Sequence, residues 1–138
     1  MKSIFNPPIG CEIDNPQSSY VSNLIIQNSS SYWEDGSGDA GVRYIDDNGH
    51  TISEIIFLLR DSWGVYIQFL SSNRSCTGVY SNDKNIKLED EVTVTHGGSP
   101  LTLPRHYFVN RETAAKIIGA FIDNKNGELP LGFNWIDT

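Results

Sequence analysis

Apolar positions along the 138 residues follow two different periods, and each change of period marks an element. Ala114, Ile117, Ile118, Phe121 and Ile122 recur three and four residues apart, which is the spacing of one helical face. Asn110 stands where an N-cap belongs, and Glu112 and Thr113 fill the first turn. Asp123-Asn124-Lys125-Asn126-Gly127 supplies the stop, with Gly127 or an Asn suited to positive φ. The pattern predicts a helix over 111–123. A second helix is predicted over 16–27, where Asp14-Asn15-Pro16 reads as a start and Tyr20, Val21, Leu24 and Ile25 follow at helical spacing. A strand from Asn23 to Gln27 is the alternative there, because Ser and Asn are frequent in this stretch.

Between the two helices the period shortens. Val42 to Ile45 reads as a strand, closed by Asp46-Asp47-Asn48-Gly49, and Asn-Gly between apolar runs is a strong hairpin signal. Thr51 to Leu59 returns, and its run Ile55-Ile56-Phe57-Leu58-Leu59 is apolar on both faces, so it belongs at the centre of a sheet covered on each side. Further strands are predicted from Trp63 to Leu70, Thr77 to Tyr80 and Glu91 to His96, the last with Val92 and Val94 on one face. Gly97 to Pro100 reads as a loop. Short strands are expected at Ser3 to Phe5, at Tyr107 to Val109, and at the end around Phe133, Trp135 and Ile136. The order predicts an α+β fold: an antiparallel sheet of about six strands with helices (16–27 and 111–123) packed on one face, in a single domain spanning 1–138.

A content of 38% hydrophobic and 11% aromatic residues argues against disorder and supports a core that needs no metal or disulfide. No apolar run reaches the length of a membrane span, and Met-Lys-Ser-Ile-Phe-Asn-Pro-Pro contains no apolar signal region, so a cytoplasmic location is expected. Cys11 and Cys76 are then expected to be reduced thiols. Net charge is −7 and uneven: residues 1–70 hold three Lys or Arg against nine Asp or Glu, while residues 71–138 hold seven against eight. An acidic half repels phosphate backbones, which argues against direct nucleic-acid binding. It suits a basic protein partner, or it serves solubility alone.

Gly36-Ser37-Gly38-Asp39-Ala40-Gly41 has the letters of a dinucleotide fingerprint, but a strand rather than a helix follows it and Asp39 opposes phosphate. It reads instead as a glycine-rich acidic loop. Trp33 with Glu34, Asp35 and Asp39 places an aromatic beside three carboxylates, the composition of a protein-contact site; the competing reading puts Trp33 in the core. Asp46 and Asp47 in the hairpin turn, and Glu89 and Asp90 before a strand, complete the candidate partner-binding set. His50, His96 and His106 have no metal-ligand spacing, and neither Asp-rich turn has the bidentate Glu of a calcium loop, so no cofactor or metal is expected. No Gly-x-Ser-x-Gly elbow is present. The enzymatic alternative is a small hydrolase or ligand-binding domain using His96 or His106 with a nearby carboxylate.

Four segments, in order, carry a family resemblance. They are Trp63-Gly64-Val65-Tyr66-Ile67-Gln68-Phe69, the Leu103-Pro104 segment leading to Val109, Ala114-Ala115-Lys116-Ile117-Ile118, and Gly127-Glu128-Leu129-Pro130 ahead of Trp135. In this layout, over roughly residues 41–136, the chain resembles the Imm-one immunity proteins of bacterial polymorphic-toxin and contact-dependent inhibition systems. The resemblance implies a non-catalytic protein that neutralises a toxin of its own strain, a nucleic-acid deaminase or a nuclease. The shared residues are core and turn positions, so the resemblance assigns no toxin-binding residue.

Overall fold

The computed structural model describes the chain except residues 28, 29, 35–38, 73, 82, 97 and 138, and the side chains of 30, 34 and 74–77 also lie outside the described set. Ten strands and three helices are described: β1 (Lys2–Asn6), β2 (Ile13–Asp14), α1 (Ser18–Gln27), α2 (Ser30–Glu34), β3 (Asp39–Ile45), β4 (Thr51–Arg60), β5 (Gly64–Ser71), β6 (Arg74–Val79), β7 (Glu91–His96), β8 (Ser99–Pro104), β9 (Phe108–Val109), α3 (Arg111–Asn124) and β10 (Trp135–Asp137). A 3-10 turn spans Arg105–Tyr107. One sheet runs in the order β10-β6-β5-β4-β3-β1-β2, with β9 also on β5, and β7 and β8 form a separate two-stranded sheet. The α+β class holds, and every described strand pairing is antiparallel. The sheet exceeds the expected six strands because the short pairings β2, β9 and β10 extend it.

The doubly apolar run of β4 explains the layering. Ile55, Phe57 and Leu59 face one way, into a core with Val21 and Ile25 of α1 and with Ile117, Ile118 and Phe121 of α3. Each such fully buried side chain contributes about 1.5–3 kcal/mol relative to exposure. Leu58 faces the other way, with Tyr66 and Phe108, and is covered by Val92 and Val94 of β7. Helices therefore cover one face of the sheet and the β7–β8 hairpin covers part of the other. Arg60 pins that hairpin: its guanidinium donates to the carbonyls of Leu59 (2.8 Å) and Thr95 (2.7 Å).

The longer helix matches its prediction closely. Asn110 Oδ1 accepts from Thr113 N–H at 2.7 Å, and the left-handed residue that ends α3 is Lys125 at φ 54°. α1 begins at Ser18 rather than residue 16, because the Gln17 carbonyl accepts the first helical N–H groups, those of Tyr20 and Val21. Ser22 Oγ donates to the Ala115 carbonyl (3.3 Å), and Gly119 lies against Ser22, so small residues let the two helices approach.

Three corrections belong here. Residues 99–104, whose first two were read as loop, form β8. Pro100 and Pro104 stand opposite Thr95 and Glu91, and since proline has no N–H to donate, both must turn their nitrogens to the outer edge, which blunts that edge. The front of the expected Tyr107–Val109 strand is the 3-10 turn. Trp33, expected on a solvent-facing loop, is 0% exposed. It belongs to the helix-side core, at 5.7 Å from Phe57 and 5.4 Å from Tyr32 between ring centroids.

Candidate functional site

The sheet face opposite the helices is only partly roofed, and strand register shows what the open part presents. One row runs across the strands as Asn6, Gly41, Ile56, Gln68 and Gly78. Two of these five positions lack a side chain, so the row forms the floor of a trough. On one side lies the row Asp39, Leu58, Tyr66 and Phe108, under the hairpin. On the other lies the row Ile4, Arg43, Glu54 and Leu70. Adjacent rows on one face are about 6.7 Å apart.

Where the trough runs under the hairpin tip it deepens into a cavity of about 180 Å³, lined by Asp39, Ile56, Leu58, Tyr66, Gln68, His96 and Leu101, with Phe57 behind. Its lining combines the polar side chains of Asp39, Gln68 and His96 with aliphatic and aromatic ones. His96 Nε2 lies 3.5 Å from Asp39 Oδ2, joining the tip of β7 to the start of β3, and His96 Nδ1 is buried with no hydrogen-bond partner among the described residues.

Glu54 is the residue that sequence reasoning missed. Its Oε2 lies over Gly41, 3.8 Å from where a Cβ would stand. Burial pushes its carboxyl above the usual range, with Arg43 opposing and the charge of Asp39 adding to the rise. The Arg43 guanidinium makes its ion pair with Glu12 (3.2 Å). The Asn6 amide, oriented to satisfy both groups, accepts from Arg43 Nη1 at 2.6 Å and donates to Glu12 at 3.1 Å. The signal for Glu54 was a lone carboxylate directly before the apolar run of β4, visible only once the register placed it near a glycine.

The predicted contact residues do not form one patch. Asp39 stands at the trough. Asp46 and Asp47 lie at the far end of the β3–β4 hairpin, seven residues on and roughly 20 Å away. Asp46 there accepts from the N–H groups of Asn48 and His50 (both 2.9 Å), and the His50 bond is the main reason its carboxyl sits below the usual range. Asp47 is 3.7 Å from the amino terminus. Glu89 and Asp90 lie by the base of the β7–β8 hairpin, where the Asp90 carbonyl accepts from Arg105 N–H (2.7 Å). The side chain of Glu34 and all of Asp35 lie outside the described residues, as does the side chain of Cys76.

Arg105, whose N–H meets the Asp90 carbonyl, also carries its guanidinium to 5.2 Å from the ring centre of Trp63, which is 39% exposed. Tyr80 and Tyr107 each meet the His106 ring edge-to-face. His106 thus sits among aromatics, and His96 is the histidine that meets a carboxylate at a cavity.

Among the described residues no group of three or more His, Cys, Asp or Glu is placed to hold a metal ion, and no helix is long and apolar enough to cross a membrane. Compared with known proteins, the chain matches no family profile, no curated sequence and no solved structure.

Proposed function

We propose that this chain is an immunity protein, a non-catalytic inhibitor that binds a cognate toxin domain with a basic surface and blocks its active site, acting in the cytoplasm. The toxin class implied by the family resemblance is a nucleic-acid deaminase or nuclease, whose active-site cleft is basic because its substrate is a polyanion. The observation that carries the reading is the acidic trough: on a chain of net charge −7, Asp39 and Glu54 flank a concave, partly apolar floor on the face the helices leave open. Complementary charge accelerates encounter and fixes register, while apolar floor and rim hold the complex once formed. Trp63 with the Arg105 guanidinium over its ring offers the aromatic-and-arginine composition common at the centres of protein interfaces.

The experiment is co-expression with the toxin domain encoded beside this chain, followed by size-exclusion chromatography. A co-eluting complex and restored growth support the reading; separate elution with undiminished toxicity sinks it.

One observation favours a second reading, a small hydrolase or ligand-binding domain: the His96–Asp39 pair opens on a cavity. Among the described residues that line the cavity there is no serine, threonine or cysteine, the side chains that most often serve as nucleophiles beside such a pair. If His96→Ala abolishes a measured hydrolysis and leaves toxin binding intact, the enzymatic reading replaces the first.

A further inference from the structure

The helix side of the sheet holds a second cavity, of about 620 Å³, at the end where α1 starts and α3 stops. Ser22 meets Ala115 while Ser18 meets Gly119, so the two helices run antiparallel. The positive end of one helix dipole and the negative end of the other therefore open on the same cavity. The start of α1 is uncompensated. The Gln17 carbonyl accepts from the N–H groups of Tyr20 and Val21 (3.1 and 3.4 Å), but those of Ser18 and Ser19 donate to nothing among the described residues, and the first turn holds no acidic residue.

The floor adds an independent observation. Ser3 is only 7% exposed, yet its hydroxyl has no hydrogen-bond partner among the described residues. Its backbone alone is engaged: the N–H donates to Asn15 Oδ1 (3.2 Å) and the carbonyl accepts from the Asn15 N–H (2.7 Å). Ser3 stands opposite Tyr44 and two residues before Phe5, on the face that carries both rings into the helix-side core, so its hydroxyl points into this cavity. A buried hydroxyl without a protein partner is a hydrogen-bonding position for a bound molecule.

The rim carries one charge of each sign. Asp123 and Lys125 both line the cavity, and neither side chain makes an ion pair or hydrogen bond with a described residue. Both are felt at the Tyr44 hydroxyl: burial raises that phenol most, the Lys125 N–H lowers it and the Asp123 charge raises it. The Met1 amine, also at this cavity, lies 3.7 Å from Asp47. A lone anion would suit Lys125 and the helix start but meet Asp123, and a lone cation would do the reverse. The volume is also about twenty times the roughly 30 Å³ share of one water, too large for a single ion.

We propose that this cavity binds a free α-amino acid as its zwitterion. The carboxylate takes the N–H groups of Ser18 and Ser19 with Lys125 beside it, the ammonium takes Asp123, the Ser3 hydroxyl bonds from the floor, and Pro16 and Ile122 pack against the side chain. The site lies on the side of the sheet that the helices cover, away from the trough, and stands whether or not the chain binds a toxin.

The test is titration of ¹⁵N-labelled protein with glycine, L-leucine, L-glutamine and L-phenylalanine, each in turn. At least one should give saturable, millimolar-range shifts confined to the amides of Ser3, Ser18, Ser19 and Lys125. For that amino acid, the N-acetyl derivative lacks the ammonium and the primary amide lacks the carboxylate, and each should bind about tenfold or more weakly. Asp123→Asn should weaken the amino acid by a similar factor and leave its N-acetyl derivative unchanged. Ser3→Ala should weaken both; Asp123 is exposed, so its variant keeps the test valid should Ser3→Ala disturb the fold. No saturable shift with any of the four amino acids would overturn the site. Acetate and inorganic phosphate binding as tightly as the amino acid, unaffected by Asp123→Asn, would overturn it too, by showing ordinary attraction of anions to a helix start.

Discussion

Glu54 stands directly across the β3–β4 ladder from Arg43, yet the arginine makes its ion pair with Glu12 at 3.2 Å. An opposite-charge cross-strand pair contributes to sheet stability when the two heads meet. Here the arginine is drawn to the exposed edge by a second carboxylate and an amide, and Glu54 is left facing a glycine.

That arrangement sets a pH dependence. The folded Glu54 carboxyl lies above its unfolded value of about 4.3, so the native state keeps a proton that the unfolded chain has lost. Its contribution to stability is therefore present at low pH and is lost as pH rises through the folded value. Glu54→Gln cannot ionise. Its melting temperature should exceed that of the native chain at pH 7, and the gap should close by about pH 4. A gap independent of pH would contradict the assignment.

Tyr44 ties the sheet to the last turn of α3, its hydroxyl lying 2.7 Å from the Phe121 carbonyl and 3.0 Å from that of Ile122. Tyr44→Phe keeps the ring against Phe121 and removes the donor. The expected loss is about 1–2 kcal/mol in denaturant unfolding, with faster amide exchange confined to the end of α3.

Gly64 has φ +100°, and a Cβ there would lie 2.3 Å from the Val109 carbonyl oxygen. Gly64→Ala should cost about 2 kcal/mol or more, because the backbone must leave the left-handed side or β9 must move off β5. The companion readout is loss of exchange protection at Val65 and Val109, which pair in this register.

Trp33 gives a stability effect where the acidic-loop reading expects a binding effect. Its Nε1 is buried with no partner among the described residues. Trp33→Phe removes that orphaned donor while filling most of the space, so it should cost less than Trp33→Ala, for which about 3–5 kcal/mol is expected. Toxin affinity per folded molecule should be the same in both.

Much of the fold was legible because local signals agreed with it: the Asn110 cap, the Asn48-Gly49 turn, and the run of β4 that announced a sheet covered on both sides. What failed did so where tertiary contact outweighed composition. Ser99 and Pro100 looked like the end of a Gly-Gly-Ser-Pro loop, while Pro100 in fact occupies the outer edge of a hairpin. Trp33 was open to both a contact and a core reading because polar residues and glycines surround it in sequence; its ring packs in the core against Phe57. Asp39 was named as a candidate by composition alone. Glu54 was not, because its importance depends on Gly41 across the ladder and on Arg43 being held elsewhere, and no spacing within one strand encodes either.

The most direct test is the residual activity of the neighbouring toxin domain on its nucleic-acid substrate as this chain is added in increasing amounts. Activity should fall to baseline at one equivalent, with the chain itself left unchanged. Full activity at one equivalent and above, under conditions where both proteins are folded, would contradict the account.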